Sequence, residues 1–341
     1  MKLTIYEIAK KAKVSIATVS RAMNPETRSK VSPDTLKRVD AIIARHQYAP
    51  NLAAKGLTQA VYRTLGVLVP HGEGVFLNDY YAQILCGVSD ALLNTPYRFK
   101  VLMLKCGETH WNKYDFKAAE GIDGLIVTHW HAFFSDKSAF RNLSVPCVIL
   151  GDPEKNVHAH FVSGDQAAGG KLAAEYLYGQ GHRKIAVMTG AACSVDSRLR
   201  LEGFRGYLKK KGIGLDQDMI VCGDFREEKA EEAAAQLLKK RKDFSAMFCL
   251  NDAMARGAIQ HLSKAGRKCP SDVSVVGFDD EKAAATMSPP LTTVRMPLYD
   301  VAKRGAEIMI GHLGKKAARG FYGNQTLLPA EFVERKTVSR A

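Results

Sequence analysis

Several common features are absent from this 341-residue sequence, and each absence removes a class of protein. The seven cysteines are scattered, with no C-x-x-C pair and no Cys/His cluster at zinc spacing, so neither a disulfide framework nor a zinc site is predicted. The first twelve residues lack the apolar core of a signal peptide, and no stretch approaches about 20 uninterrupted apolar residues. We therefore expect a protein that stays in a reducing cytoplasm and has no membrane partner.

The motifs of the common enzyme classes are also missing. The sequence contains no G-x-S-x-G elbow, no P-loop, no G-x-G-x-x-G after a strand and no H-E-x-x-H. We expect no catalytic residue, no cofactor and no metal ion. Because two-lobed α/β domains often host catalysis, an enzyme is a rival interpretation, and turnover of a bound small molecule would support it.

Positive charge is what the sequence has in excess. Lys and Arg number 49 against 35 Asp and Glu, which gives a formal net charge of +14. The first 60 residues hold eleven basic and four acidic side chains, so their net charge is +7. These numbers predict a basic N-terminal module with a polyanionic partner.

Three short helices are predicted in this basic module. Thr4 and Glu7 have the spacing of a capping box, and Ser15 can cap a second helix that ends near Met23. A third helix opens at Ser32-Pro33-Asp34, with proline at the first helical position. The apolar side chains expected to share one small core are Ile5, Ile8, Ala9, Ala12, Val19, Ala22 or Met23, Leu36, Val39, Ile42 and Ile43.

From residue 65 onward, short β-rich runs alternate with longer helical patterns. Most of the runs lack a polar face, as expected for strands of a parallel sheet that helices cover on both sides. About a dozen alternating elements exceed one sheet, so we predict two doubly wound α/β lobes. The predicted strands are 65–69, 99–104, 124–128, 147–150, 184–189, 245–250 and 273–278, and the predicted helices are 80–93, 166–178, 198–211, 229–241 and 252–265.

The segment LTIYEIAKKAKVSIATVSRAMN resembles the headpiece of the lactose/galactose repressor (LacI/GalR) family. The similarity continues in the family order through YAPNLAAKGL, LGVLVP, IDGLIV, GQGHRKIAVMTG, RLRLEGF, NDAMARGAIQHL, DVSVVGFDD and PPLTTVRMP. The resemblance implies a helix-turn-helix headpiece followed by a two-lobed domain like that of type I periplasmic binding proteins. It also implies binding of double-stranded operator DNA and of a small-molecule effector.

The resemblance and the pattern together define the expected architecture. We expect an α/β protein with a small all-α helix-turn-helix headpiece at 1–49 and a hinge at 50–62. A ligand-binding and dimerisation domain is expected at 63–341, consisting of a doubly wound N-lobe and C-lobe. The expected N-lobe is 63–161 with 292–322, and the expected C-lobe is 162–291 with 323–338.

The second helix of a helix-turn-helix lies in the major groove and presents its first residues to base edges. Arg21 can donate two hydrogen bonds to guanine, whereas Ile16 and Ala17 offer only apolar surface, and Ser20 lies one turn further on. A place in the headpiece core is the alternative for Ile16. The other predicted DNA contacts of the headpiece are Thr4, Ser15, Thr18 and Asn24, of which the last three are placed for phosphates.

The hinge of the family becomes a short helix on DNA, where a leucine wedges into the minor groove. By position this leucine is Leu57, and Asn51 and Ala54 are further predicted contacts. Gly56 costs about 1 kcal/mol of helix propensity relative to alanine, so the hinge is expected to fold only on DNA. A passive linker is the alternative.

Two features of the headpiece depart from the family. Lys13 stands where a glycine usually makes the turn, and a left-handed conformation at a non-glycine residue costs roughly 1 to 2 kcal/mol. The loop from Pro25 to Lys30 is about two residues longer than usual. DNA binding is still expected, with altered docking.

The resemblance also assigns an effector site to the cleft between the lobes. Arg, Asn and Asp side chains can pair with vicinal hydroxyls, and an aromatic face can cover a sugar ring, so a sugar is favoured over a nucleoside or nucleobase. Structural alternatives are open, since Asn251 can cap a helix, Asp279 and Asp280 can cap a turn, and Phe225 can lie in a core. The predicted effector-binding residues are Phe76, Trp130, Arg200, Phe225, Asn251 and Asp279.

Three other features of the cleft depart from sugar-binding relatives. Gly151 falls where those relatives place an aspartate, although Asp152 follows it, and Met296 replaces a frequent glutamine. The first loop, HGEGVFLNDYY, does not follow the usual pattern. We therefore expect a ligand-responsive regulator, a repressor of carbohydrate-related genes that binds a pseudopalindromic operator. The alternatives are a nucleoside- or nucleobase-responsive regulator and a DNA-binding regulator without a small-molecule effector.

The predicted assembly is a homodimer. The sequence ends in EFVERKTVSRA without leucine heptads, so the C-terminal tetramerisation helix of some relatives is not expected. Light scattering of the purified protein should give twice the mass of the chain. A tetramer in solution would contradict this expectation.

Overall fold

The structure of the protein is a computed structural model. It describes residues 3–23, 27–46, 48, 61–71, 75, 79–104, 116–128, 140, 143–153, 157–192, 194–314 and 321–341. The chain divides into two units, Met1–Tyr62 and Arg63–Ala341, called unit 1 and unit 2 below. No helix among the described residues is long and apolar enough to cross a membrane.

Unit 1 contains the three predicted helices, α1 (Ile5–Ala12), α2 (Ile16–Met23) and α3 (Pro33–His46). The predicted capping box is confirmed: the backbone N–H of Thr4 donates to the Glu7 carboxylate at 2.7 Å, and the backbone N–H of Glu7 donates back to the Thr4 hydroxyl. Ser15 caps α2 by accepting the backbone N–H of Thr18 at 3.1 Å. The core predicted from the apolar spacing is also confirmed, with Ile8, Ala9, Ala12, Val19, Ala22, Val31 and Val39 buried and Leu36, Ile42 and Ile43 packed against them.

Unit 2 alternates strands and helices over most of its length. Its elements in chain order are β1 (Thr64–Pro70), α4 (Asp79–Leu92), β2 (Arg98–Leu104), α5 (Phe116–Glu120), β3 (Gly124–Thr128), β4 (Cys147–Leu150), β5 (His160–Gly164), α6 (Gln166–Gly179), β6 (Ile185–Thr189), α7 (Val195–Lys210), β7 (Ile220–Cys222), α8 (Glu227–Lys240), β8 (Ala246–Cys249), α9 (Asp252–Lys264), β9 (Ser274–Val276), α10 (Lys282–Thr286), β10 (Thr293–Arg295), α11 (Leu298–Leu313), β11 (Gln325–Leu328) and β12 (Glu331–Val333).

These elements form the two doubly wound lobes that the sequence predicted. The first lobe has a six-stranded sheet in the order β11-β5-β4-β3-β1-β2, and the second has a four-stranded sheet in the order β7-β6-β8-β9. All neighbouring strands within these two sheets are parallel. Apolar clusters cover both faces of the first sheet, which explains why its strands lack a polar face.

The chain crosses between the lobes more than once, and two of the crossing segments pair with each other. β10 and β12 form a separate two-stranded antiparallel sheet. The first sheet extends through residue 164, beyond the expected 161, because β5 continues to Gly164. It also includes β11, in the 323–338 region expected in the C-lobe, because Gln325 to Leu328 pair with Phe161 to Gly164.

Glycines allow α6 and α7 to approach closely in the second lobe. A Cβ atom at Gly203 would lie 1.9 Å from the carbonyl oxygen of Ala167, and one at Gly170 would lie 2.0 Å from the carbonyl oxygen of Arg200. Both contacts are with backbone atoms, which cannot rotate away. The position of Arg200 therefore depends on the absence of side chains at these two residues.

A pair of glycine substitutions on α7 tests this packing. Gly203→Ala should lower the free energy of unfolding by about 1 to 3 kcal/mol, because the added methyl group forces the helices apart. Gly206→Ala is the matched control: no atom lies within 4 Å of its added methyl group, and alanine should stabilise the helix by about 0.5 to 1 kcal/mol. Urea unfolding followed by circular dichroism measures both, and equal effects would contradict the packing argument.

Candidate functional site

The outward face of α2 carries the predicted base-reading residues. Ile16, Ala17 and Arg21 are exposed, and Ser20 is half-buried. Ile16 is 39% exposed, so it is not one of the buried residues of the headpiece core. The alternative interpretation, in which Ile16 belongs to that core, is therefore wrong. This face offers one guanidinium and two apolar side chains to a partner.

The hydroxyl groups at the start of α1 and α2 have partners within unit 1. The Ser15 and Thr18 hydroxyls lie 2.9 Å apart, and the Thr4 hydroxyl donates to the Glu7 carboxylate at 3.0 Å. In this structure the hydroxyl groups of Thr4 and Ser15 therefore cap the starts of α1 and α2. The predicted DNA contacts Asn24, Asn51, Ala54 and Leu57 lie outside the described residues.

Arg28 connects the end of α2 to α3, a role that the sequence analysis missed. Its guanidinium donates to the carbonyl oxygen of Ala22 at 2.7 Å and forms two hydrogen bonds with the Asp40 carboxylate on α3. Lys13 has the expected left-handed conformation, with φ of 52°. An arginine followed twelve residues later by an aspartate gives no sequence signal, because only the fold brings them together.

The predicted effector residues that the structure describes lie at the carboxyl ends of parallel strands. Phe225 follows β7, Asn251 follows β8 and Asp279 follows β9, while Arg200 lies on the helix that follows β6. Ligands of doubly wound sheets bind at this edge. The topology therefore brings four residues separated by up to 79 positions to one edge of the second lobe. Phe76 and Trp130 lie outside the described residues.

Arg200 is buried and bonded on every side of its guanidinium. Its Nε donates to the Gln166 side-chain oxygen at 2.7 Å, and its Nη1 donates to the Leu250 carbonyl oxygen at 2.5 Å. Its Nη2 lies 3.0 Å from Asp279 Oδ1, and its plane lies 3.9 Å from the centre of the Phe278 ring. One side chain thus connects α6, the end of β8 and the end of β9.

Asp279 pairs with Arg200 through its buried oxygen Oδ1, which lies 3.0 Å from Arg200 Nη2. No further hydrogen-bond partner of this oxygen is found among the described residues. Burial raises the pKa of Asp279, Arg200 opposes that rise, and the negative charges of Glu281 and Asp196 add to it. Asp279 is therefore an ionisable group held at a cost in the folded state, as binding sites often require.

The neighbouring Asp280 has a different role. Its carboxylate accepts hydrogen bonds from Arg295 at 2.8 Å and from Arg335 at 2.7 Å, on the two segments that cross between the lobes. Asp279 and Asp280 both have positive φ, at 103° and 57°. This strained backbone turns one aspartate toward Arg200 and the next toward the crossing segments.

Phe225 and Asn251 form the opposite side of the same edge. A Cβ atom at Gly190 would lie 2.0 Å from the Phe225 ring, so the glycine leaves room for the aromatic face. Asn251 caps α9 by accepting the Met254 backbone N–H at 2.8 Å, and its amide donates to the Phe225 carbonyl oxygen at 3.3 Å. Asn251 therefore caps α9, as the structural alternative for this residue predicted. The bond to Phe225 uses one of the two N–H groups of its side-chain amide.

The first lobe contributes two residues that the predicted effector set did not include. Asp152 is 7% exposed and accepts the Ser163 hydroxyl through Oδ1 at 2.9 Å, while its buried Oδ2 has no hydrogen-bond partner among the described residues. Burial, reinforced by the charge of Asp196, raises its pKa to about 6. Tyr80 packs against the apolar cores of both lobes.

The pKa values of Asp152 and Tyr80 respond to charges of the second lobe. Burial raises the pKa of the Tyr80 phenol, and the charges of Asp196 and Asp279 raise it further, while Arg200 opposes the rise in the pKa of Asp152. Met296 is 2% exposed and packs on Gly164, so it lines the interior instead of offering a polar group.

Two family models match the chain. Residues 4–51 match the bacterial regulatory proteins of the lacI family, and residues 174–338 match a periplasmic binding protein-like domain. The chain is 30% identical over 315 residues to the HTH-type transcriptional regulator CelR of Thermobifida fusca, covering 91% of this chain and 92% of the relative. It is 30% identical over 341 residues to the HTH-type transcriptional repressor PurR of Vibrio atlanticus (strain LGP32), covering 98% of each.

Solved structures give the same picture. A lac repressor dimer bound to operator and the anti-inducer ONPF matches with a TM-score of 0.82 at 26% identity, covering 99% of this chain and 100% of that chain. A complex of the transcriptional regulator CelR with cellobiose matches with a TM-score of 0.72 at 27% identity, covering 98% of this chain and 99% of that chain. The similarity therefore extends over both units.

Substitution of the two adjacent aspartates tests the two ion pairs that they form. Asp280→Asn should lower the free energy of unfolding by roughly 2 to 4 kcal/mol, because it removes a charge bonded to two arginines. Asp279→Asn should lower it by a similar amount, because the buried Arg200 guanidinium loses its counterion. Urea unfolding at pH 7 measures both, and an unchanged stability of Asp279→Asn would contradict the role of Asp279 as the counterion of Arg200.

Proposed function

Because the chain belongs to the lacI family of bacterial regulatory proteins, we propose that it represses carbohydrate-related genes and that its effector is a sugar or sugar derivative bound between the lobes of unit 2. The chain is a ligand-responsive, DNA-binding transcription regulator, like these relatives. Its proposed location is the cytoplasm, where its operator lies. The proposed operator-binding form is a homodimer.

The carbohydrate proposal rests most directly on two buried carboxylate oxygens of unit 2. Asp152 Oδ2 has no hydrogen-bond partner among the described residues, and Asp279 Oδ1, paired with Arg200, can accept a further hydrogen bond. Sugar hydroxyls supply several donors in a small volume. The Phe225 ring offers an apolar face of the kind that covers a sugar ring. The binding of cellobiose by the related CelR supports the same class.

A purine effector is the second candidate. The relative PurR is as similar to this chain in identity as CelR is. The name PurR indicates purine regulation. Arg200 and Asp279 can also bond to a nucleobase, and the Phe225 ring can stack on one. The sugar candidate and the purine candidate predict that different compounds will stabilise the folded protein.

The proposed mechanism is a population shift that links the effector site to the operator site. A ligand that bonds to Asp279 acts on the residue directly before Asp280, which holds both crossing segments through Arg295 and Arg335. Movement of these segments would change the arrangement of the lobes and, through the hinge, the ability of two headpieces to bind one operator. At the operator, α2 is proposed to lie in the major groove, with Arg21 reading a base.

A thermal-shift screen against sugars, sugar phosphates, nucleosides and nucleobases tests the effector class. We expect a sugar to raise the unfolding temperature in a concentration-dependent way, because a ligand that binds only the folded state stabilises it. Arg200→Lys should abolish this shift, because lysine cannot reproduce the bonds of the guanidinium. Arg198→Lys on the same helix is the control, since Arg198 is half-exposed and pairs only with Glu202 in the described structure. A nucleobase shift without any sugar shift would favour the purine candidate.

Arg21→Ala tests the DNA interface. Operator duplexes selected from a random pool should lose roughly 10- to 100-fold in affinity, which corresponds to about 1 to 3 kcal/mol for a base contact of this kind. Non-operator DNA should lose much less, so the ratio between the two affinities should fall. Fluorescence anisotropy at fixed salt measures both, and an equal loss on both duplexes would assign Arg21 to a phosphate.

A further inference from the structure

The positive charge of unit 2 is concentrated in the four loops that lead into the strands of the second sheet. These loops, with the ends of the helices before them, hold twelve basic and four acidic residues, a net charge of +8. Unit 1 accounts for +7 of the +14 of the chain, so unit 2 has +7 in total and −1 outside the four loops. The four segments, called the basic end below, are 180–184, 209–219, 239–245 and 264–273.

Ion pairs and hydrogen bonds join the four segments into one surface. Lys184, before β6, pairs with Asp243, before β8, at 3.1 Å. Arg241, before β8, pairs with Asp216, before β7. Arg267, before β9, donates to a backbone carbonyl oxygen before β8 at 3.2 Å. Because the four strands are parallel, the basic end lies at their amino ends, opposite the edge that carries the proposed effector residues.

Most of the carboxylates of the basic end are already used inside it. Asp216 and Asp243 bond to Arg241, and Asp272 accepts the backbone N–H of Lys268 at 2.7 Å. One cation at a helix C-terminus interacts favourably with the helix dipole, but several close together repel one another. Seven exposed lysines of the basic end form no ion pair and no side-chain hydrogen bond with any residue that the structure describes: Lys209, Lys210, Lys211, Lys239, Lys240, Lys242 and Lys268.

The basic end offers no exposed apolar anchor for a protein partner. The ring of Tyr178 is covered by the Arg183 guanidinium at 3.9 Å, and Lys211 Nζ lies 5.7 Å from the centre of the Tyr207 ring. The exposed large hydrophobic side chains of the described residues all lie outside the four segments. Protein interfaces are centred on buried aromatic residues and are depleted in lysine. Nucleic acid, by contrast, is bound through lysine charges without apolar contact.

We propose that the basic end of unit 2 binds the phosphates of double-stranded DNA without reading sequence, so that the protein holds a second duplex in addition to the one at its headpiece. Lysine suits this role, because its ammonium group is a point charge on a flexible stem. Packed helices lie about 8 to 10 Å apart, so the helix ends spread their charges over several phosphates of a duplex with one charge per about 1.7 Å of axis. This site goes beyond the proposed function, which assigns DNA binding to the headpiece and hinge.

Bridging of two labelled duplexes by the full-length protein tests the proposal. Donor-labelled and acceptor-labelled duplexes of about 20 base pairs and unrelated sequence are mixed with the protein, and energy transfer between them is recorded. We expect transfer at about 50 mM salt that falls at least about 10-fold at about 200 mM, because each phosphate contact releases counterions. Absence of transfer at the lower salt concentration would overturn the proposal.

Two variants with equal loss of charge locate the second duplex, since two headpieces of a dimer could also bridge duplexes. Neutralising four lysines of the basic end should lower the transfer at about 50 mM salt at least about 10-fold, because four phosphate contacts are removed. Neutralising four lysines elsewhere on unit 2 should preserve most of it. The first variant is Lys209→Gln, Lys210→Gln, Lys239→Gln and Lys240→Gln, and the control is Lys100→Gln, Lys171→Gln, Lys303→Gln and Lys336→Gln.

The remaining outcomes separate the possible partners of the basic end. Equal transfer by the two variants would place the second duplex elsewhere on the protein and overturn the proposal. Labelled polyglutamate that binds through the same four lysines, without capture of a second duplex, would assign the basic end to an acidic protein and also overturn it. Circular dichroism should show both variants folded, because the substituted side chains lie at the surface.

Discussion

The bonds of the buried Arg200 guanidinium are the interactions on which the proposed effector site depends. It is bonded to α6, to the end of β8 and to Asp279, and it stacks on the ring of Phe278. A charge in this position is stable only because its surroundings supply hydrogen-bond acceptors and a counterion. The close approach of α6 and α7 at Gly170 and Gly203 brings the guanidinium to those acceptors. The packing of α6 against α7 and the ends of β8 and β9 therefore all contribute to the position and charge balance of Arg200.

The adjacent aspartates extend this interaction to the segments that join the lobes. Asp279 faces Arg200 and retains an open acceptor, whereas Asp280 is fully engaged with Arg295 and Arg335. Two consecutive residues with positive φ are costly, and such strain persists only where the surrounding contacts fix it. A change in the contacts of Asp279 can therefore reach the crossing segments through the adjacent residue Asp280. This adjacency gives a physical basis for linking the proposed effector site of unit 2 to the headpiece.

Much of this arrangement could be predicted from the sequence, for reasons that differ between elements. The capping box of Thr4 and Glu7 and the proline that opens α3 are local signals, and local physics decides them. The apolar runs of β1, β3 and β4 indicated a parallel sheet because both of its faces are covered. Short edge elements such as β11 alternate in exposure and gave too little signal.

The site was predicted less completely than the fold. Arg200 and Asp279 were identified because the family resemblance carried them, but their partners Gln166 and Phe278 come together only through the tertiary structure. The sequence alone does not show that Asp152 is buried or that its Oδ2 has no hydrogen-bond partner among the described residues. Arg28 and Asp40 illustrate the same limit in the headpiece, since neither has a pattern that marks it before folding.

The central claim is that ligand in the cleft and operator on the headpiece are thermodynamically coupled. It is tested most directly by measuring the operator Kd with and without a saturating concentration of the sugar that stabilises the protein most, and the Kd of that sugar with and without operator. Linkage requires both constants to change by the same factor, and the account predicts a factor of about 5 to 150 in either direction. A sugar that binds in the cleft and leaves the operator Kd unchanged would contradict the account.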